Sequence, residues 1–162
     1  MPGFELIGKE ERKAVNELFD DGGVLFAHGF DNMRNERYHV REFERQFADY
    51  LGVKYAQAVS SGTAALKIAL VALGVKPGDE VITQAFTFVA TAEAIIDVGA
   101  KPVFININET LNMDPNELES AITNKTAAII PVHMLGVAAE QDKIYAIANK
   151  YNIPVLDDAC ES

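Results

Sequence analysis

Gly74-Val75-Lys76-Pro77-Gly78-Asp79-Glu80-Val81-Ile82-Thr83-Gln84-Ala85-Phe86-Thr87-Phe88 decides the fold. Glycine and proline over residues 74–79 stop one helix and turn the chain. Glu80 to Thr83 then reads as a strand, and a polar cluster over Gln84 to Phe88 leads into a helix from Val89 to Val98. The same alternation extends outward. Further strands are expected over Tyr55 to Val59, Pro102 to Ile107, Ala127 to Val132 and Pro154 to Leu156. Helices are expected over Thr63 to Leu73, Pro115 to Ala121 and Glu140 to Lys150. Strand starts recur roughly every 25 residues, the rhythm of βαβ units and a largely parallel sheet. Most strands are apolar on both faces, as when helices cover both sides. The fold class is α/β, with a three-layer, mainly parallel sheet.

Upstream the pattern differs. Val15, Leu18 and Phe19, and then Phe43, Phe47 and Leu51, recur at helical spacing, with Gly22-Gly23 and Gly29 between them. Residues 1–50 therefore read as a helical arm and residues 51–162 as the α/β domain. With 49% hydrophobic and 23% charged residues, the chain is expected to be globular. Its 24 acidic and 14 basic residues give a formal charge of -10, which disfavours nucleic acid and anionic membrane surfaces. An anionic ligand would need a local site such as a helix N-terminus. The sequence shows no signal-peptide pattern and no membrane-length apolar run, so a cytoplasmic location is expected. The single cysteine, Cys160, excludes an internal disulfide and leaves no zinc cluster, so no metal is expected. The sequons at Asn108 and Asn124 then read as chance matches.

Ligands of open α/β sheets bind beyond the carboxyl ends of the strands. Three polar clusters fall at such ends: Ser60-Ser61-Gly62-Thr63, Gln84 to Phe88, and Asp157-Asp158, with His133 after a fourth strand. In the first, glycine permits close backbone approach, and free N–H groups with a hydroxyl at a helix start suit phosphate. The alternative is that Ser61 or Thr63 only caps the helix. Phe88 is placed either to stack on a planar ring or to pack in the core. Asp158, at the end of a buried strand, calls for a cationic or hydrogen-bonding partner, such as a protonated pyridine nitrogen, unless it lies in solvent or caps a helix. His133 reads more readily as a hydrogen-bonded structural histidine than as a catalyst. Cys160 reads as a small hydrophobe.

An ordered set of motifs, weak singly, carries a resemblance over about Val40 to Ser162. They are Val40-Arg41-Glu42-Phe43-Glu44, Tyr50-Leu51-Gly52-Val53-Lys54-Tyr55-Ala56, Ser60-Ser61-Gly62-Thr63-Ala64-Ala65-Leu66, Pro77 to Thr83, Thr87-Phe88-Val89-Ala90-Thr91, Gly99 to Phe104, Asn112-Met113-Asp114-Pro115, Pro131-Val132-His133 and Asp158-Ala159. The chain resembles the DegT/DnrJ/EryC1/StrS family of pyridoxal 5'-phosphate (PLP) sugar aminotransferases, within the aspartate-aminotransferase-like fold. The resemblance implies that Gly62 and Thr63 hold the PLP phosphate with Ala64 adjoining, that Phe88 stacks on the ring, and that Asp158 pairs with the ring nitrogen. Ser61 and His133 are further candidates. Glu161 falls where the family commonly has glutamine or histidine near the ring hydroxyl, and a carboxylate there implies repulsion, protonation or a side chain turned away.

The resemblance also implies a homodimer that moves an amino group from a donor, often glutamate, to a nucleotide-linked keto sugar in polysaccharide or secondary-metabolite synthesis. The family's Schiff-base lysine lies downstream of the Asp158 motif. No lysine present here matches it, and Lys67, Lys101, Lys125 and Lys143 read as solvated surface charges, so no catalytic residue is assigned. The expectation is an amino-terminal portion that does not transaminate by itself and needs its remaining part for stability. Two alternatives stand beside it: a PLP- or pyridoxamine-dependent sugar dehydratase of the same family, with histidine in place of the lysine, and a non-catalytic α/β module that binds a phosphorylated ligand.

Overall fold

The structure is a computed structural model that describes residues 4–162. It divides into two compact units, Met1–Ala58 and Val59–Ser162.

In the second unit, β1 (Glu80–Gln84), β2 (Lys101–Ile105) and β3 (Thr126–Ile130) form a parallel sheet in the order β2-β1-β3. Single parallel bridges, Ile129 to Val155 and Val132 to Asp158, add residues 155–158 beside β3. That arm was expected as a strand over Pro154 to Leu156, and it pairs only through these bridges. The larger correction concerns Tyr55 to Val59, which form no strand. Tyr55 is exposed, and the Ala58 N–H donates to the Glu44 carboxylate at 2.8 Å instead of to a neighbouring strand.

Side-chain alternation sorts the sheet into two faces. Val81, Ala128 and Ile130 pack with Leu66, Leu70, Ala94 and Ile95. Ile82 and Ile129 pack on the other side with Leu118, Ile144 and Ala148. Helices α3 (Gly62–Ala72) and α4 (Val89–Asp97) thus cover one face, and α5 (Pro115–Ala121) and α6 (Gln141–Tyr151) the other. This is the expected three-layer arrangement. Complete burial of side chains such as Ile82, Ile129 and Ile130 stabilises by roughly 1.5–3 kcal/mol each.

Local chemistry sets the helix limits. Leu66 and Leu70 lie one turn apart and face the sheet, and Gly74 at φ +87° ends the segment while the Val75 N–H reaches back to Leu70 O at 3.1 Å. Helix α5 starts on Pro115, with the Asp114 carboxylate accepting from Asn116 N–H. The chain leaves β1 through α4 to reach β2 on one side, and leaves β2 through α5 to reach β3 on the other. The order therefore reverses beside β1, and a crevice is expected at the carboxyl ends of β1 and β3.

The first unit carries α1 (Lys9–Asp20), a 3-10 turn (Asp31–Met33) and α2 (His39–Leu51). Helix α2 buries Ala48 and closes on Gly52 in the left-handed conformation.

Candidate functional site

A cavity of about 170 Å³ occupies that crevice. Its walls come from the start of α3, the β1–α4 junction and the segments after β3 and after residue 156.

The α3 wall follows from helix-end chemistry. Ser61 is extended and caps the helix: its Oγ accepts from the Ala64 N–H at 3.1 Å, and its carbonyl accepts from Ala65 N–H at 3.0 Å. The Gly62 and Thr63 N–H groups have no acceptor among the described residues, as expected for the first positions of a helix. Gly62 and Thr63 both line the cavity. A Cβ built on Gly62 would meet only Cys160 Sγ, at 3.9 Å, so the surrounding chain does not require glycine here. Ser61 and Ala64 do not line the cavity; their polar groups satisfy each other.

Phe88 is the N-cap residue of α4 and its ring is 70% exposed at the cavity. The core-packing alternative does not apply. Opposite lies Asp158, 8% exposed. Its Oδ2 accepts from Thr91 Oγ1 at 2.9 Å and its Oδ1 from the Cys160 N–H at 3.2 Å. No cationic side chain of the described residues pairs with it. Backbone bonds on both sides, Asp158 N–H to Pro131 O at 2.9 Å and His133 N–H to Asp158 O at 3.0 Å, fix it beside β3.

Glu161 lines the cavity, yet its Oε2 accepts from the Leu135 N–H at 3.2 Å, which ties the side chain to the 134–136 turn. His133 lies apart. Its Nδ1 accepts from the Ala139 N–H at 3.0 Å, which leaves the ring proton on Nε2, 3.3 Å from Asp157 Oδ1. It is buried, and it does not line the cavity.

Two residues were missed. Thr91 orients the Asp158 carboxylate and is itself bonded to Thr87 Oγ1 at 2.9 Å. Thr87 precedes α4 and Thr91 lies in its first turn, and both were part of the Thr87 to Thr91 motif read from the sequence. Gln84 is fully buried. Its Oε1 accepts from Met113 N–H (3.0 Å) and Val132 N–H (3.1 Å), and its Nε2 donates to Phe86 O (2.9 Å) and Leu111 O (3.2 Å). It thereby ties the end of β1 to the segment after β3. The sequence placed Gln84 in the polar cluster after β1, but not the four backbone groups that its amide joins.

A family model, the DegT/DnrJ/EryC1/StrS aminotransferase family, matches residues 7–162. The chain belongs to this family. It is 54% identical over 124 residues to a UDP-2-acetamido-2-deoxy-3-oxo-D-glucuronate aminotransferase of Pseudomonas aeruginosa, covering 76% of this chain and 34% of that protein. It is 45% identical over 158 residues to the spore coat polysaccharide biosynthesis protein SpsC of Bacillus subtilis, covering 97% and 38%. The chain thus spans about a third of the length of the curated relatives it matches. Among solved structures, NtdA from Bacillus subtilis with bound cofactor PMP superposes with a TM-score of 0.82 at 38% identity, over 96% of this chain and 34% of that one. A GDP-4-keto-6-deoxymannose-3-dehydratase superposes at 0.79 and 34% identity, over 94% and 39%. The fold is that of the PLP-dependent aminotransferases. No described helix is long and apolar enough to cross a membrane.

Proposed function

We propose that this chain forms the PLP cradle of an aminotransferase acting on a nucleotide-linked keto sugar, with an amino acid, glutamate in the first instance, as donor. One observation carries the reading: a single cavity brings together an exposed aromatic ring with helix N–H groups that have no acceptor, and a buried carboxylate that has no cation, among the described residues. These are the three groups that a phosphate, a ring face and a protonated ring nitrogen require, so the residues present fit the cofactor. Bound there, PLP would supply an electron sink for chemistry at the amino-bearing carbon.

The protein's own residues divide the remaining work. Gly62 and Thr63 N–H groups, with the Thr63 hydroxyl, hold the phosphate in the favourable field of the α3 N-terminus, a local site of the sign that a chain of formal charge -10 lacks globally. Phe88 covers one ring face. Asp158 accepts from the ring N–H and keeps a proton on that nitrogen, while Thr91 and the Cys160 amide hold the carboxylate in place. Glu161, tied to Leu135, takes no direct part.

No described lysine lines the cavity. Lys67 pairs with Asp97, Lys101 with Glu80, Lys143 with Glu140 and Lys150 with Glu119. The amino-transfer step therefore needs a lysine from outside these residues, and a homodimeric, cytoplasmic enzyme of polysaccharide synthesis is the setting we propose. The likeness to a dehydratase supports a second reading, loss of a sugar hydroxyl, but the higher identity lies with the aminotransferase. Two assays separate these outcomes. In the first, the chain is incubated with PLP, reduced with borohydride and analysed by mass spectrometry; no single lysine is expected to retain the label, and stoichiometric labelling of one lysine would overturn the division of labour. In the second, the enzyme carrying this chain is given PLP, glutamate and a UDP-linked 3-keto sugar. Formation of 2-oxoglutarate with an amino sugar is expected, whereas a deoxy sugar would establish the dehydratase.

A further inference from the structure

Thr91 is 1% exposed, so its hydroxyl is cut off from water and finds its partners within the protein. A hydroxyl has one proton to give and lone pairs to receive. Thr91 Oγ1 stands 2.9 Å from Asp158 Oδ2 on one side and 2.9 Å from Thr87 Oγ1 on the other. Thr87, Thr91 and Asp158 all line the cavity at α3.

The order of donors along this row is fixed from the Asp158 end. As a carboxylate, the state in which it accepts from a ring N–H in the proposed cradle, Asp158 can only accept. The Thr91 proton therefore points at Oδ2, and the contact between the two threonines then requires the Thr87 proton to point at Thr91. The other acceptor bonded to the Thr87 hydroxyl, Phe88 O, lies at 3.4 Å and competes weakly. Thr91 sits in the first turn of α4, where a threonine hydroxyl can also turn back to a carbonyl three or four residues earlier. Such a turn would take its proton away from Asp158 and leave only the Cys160 N–H on the carboxylate among the described residues. Donation from Thr87 opposes it, because a hydroxyl that receives a hydrogen bond gives a stronger one.

We propose that Thr87 is a positioning residue for the cofactor: its hydroxyl donates to Thr91 and thereby commits the single Thr91 proton to Asp158. This role rests on the assignment of Asp158 to the ring nitrogen. Thr87 directly precedes Phe88, so the β1–α4 junction that presents the aromatic ring also supplies the far end of the row that holds the carboxylate.

The test compares PLP with its carbocyclic analogue, in which C–H replaces the ring nitrogen, by equilibrium dialysis against the unaltered protein, Thr87→Val and Thr87→Ser. Thr87→Val should bind PLP about three- to tenfold more weakly and the analogue unchanged, while Thr87→Ser, which keeps the donor, should bind PLP as the unaltered protein does. A loss confined to PLP is the signature of action through Asp158, since the analogue offers no ring N–H. Equal weakening of both compounds would leave Thr87 only a part in shaping the cavity, and unchanged PLP affinity in Thr87→Val would leave it none; with PLP still preferred by the unaltered protein, either result overturns this proposal alone. Equal binding of the two compounds by the unaltered protein would contradict the cradle reading, and the role of Thr87 with it. If Thr87→Val does not fold, Thr87→Ala, which also removes the donor, takes its place with the same expectations.

Discussion

Two side chains show how differently polar residues can be legible. Asp158 was recognisable because a carboxylate ending an apolar strand needs an explanation, and the structure buries it with two side-chain hydrogen bonds and no cation among the described residues. Thr91, which holds that carboxylate, was visible only as part of a motif, since its task depends on a contact 67 residues away. Thr91→Val is expected to weaken PLP binding several-fold while Thr91→Ser retains it; equal binding in both variants would remove Thr91 from the account. Gln84 was legible only as the first residue of a polar cluster, while its amide joins four backbone groups that composition does not reveal. Gln84→Ala leaves those groups unpaired and should lower the unfolding free energy by about 3 kcal/mol or more in denaturant titration. A loss below about 1 kcal/mol would show that water replaces the side chain at little cost.

Helices were easier to read than strands because caps and stops are local chemistry. Pro115 to Ala121 emerged with its expected limits, set by the Asp114 cap and Pro115. Tyr55 to Val59 had the composition of a strand, but pairing is not encoded in composition, and the Glu44 carboxylate takes up an N–H that a ladder would need. Glycines distinguish fold from ligand. A Cβ on Gly99 would meet Pro77 atoms at 2.9–3.1 Å with φ at +80°, so Gly99→Ala should destabilise by at least about 2 kcal/mol. Gly62→Ala meets no such obstacle and should leave the melting temperature unchanged while reducing PLP affinity. In α2, the Arg45 guanidinium and the Gln46 amide hold Glu42 down from its ordinary 4.5 to about 2. Because the folded value is the lower one, this contribution is complete above pH 4.5 and disappears as the pH falls towards 2. The stability difference between the unaltered protein and Glu42→Gln should therefore narrow across that window in acid titrations, and a constant difference would contradict it.

Topology joins these parts into a site. Because the chain turns to opposite sides of β1, the carboxyl ends of β1 and β3 open between helices, and the α3 N-terminus, Phe88 and Asp158 meet there although 96 residues separate Gly62 from Asp158 (158 − 62). The βαβ rhythm made the three-layer arrangement readable in advance. The burial of Arg34 was not readable, since an arginine is ordinarily a surface residue and its burial arises only from the packing of the first unit. The central claim is that the α3 cavity recognises PLP by its phosphate and its ring nitrogen. Equilibrium dialysis against pyridoxal 5'-phosphate and against pyridoxal, with the unaltered protein and Asp158→Ala, tests it most directly. The phosphorylated form should bind at least about tenfold more tightly than pyridoxal, and Asp158→Ala should lose affinity while keeping its fold. Equal binding of the two compounds, or full affinity in Asp158→Ala, would contradict it.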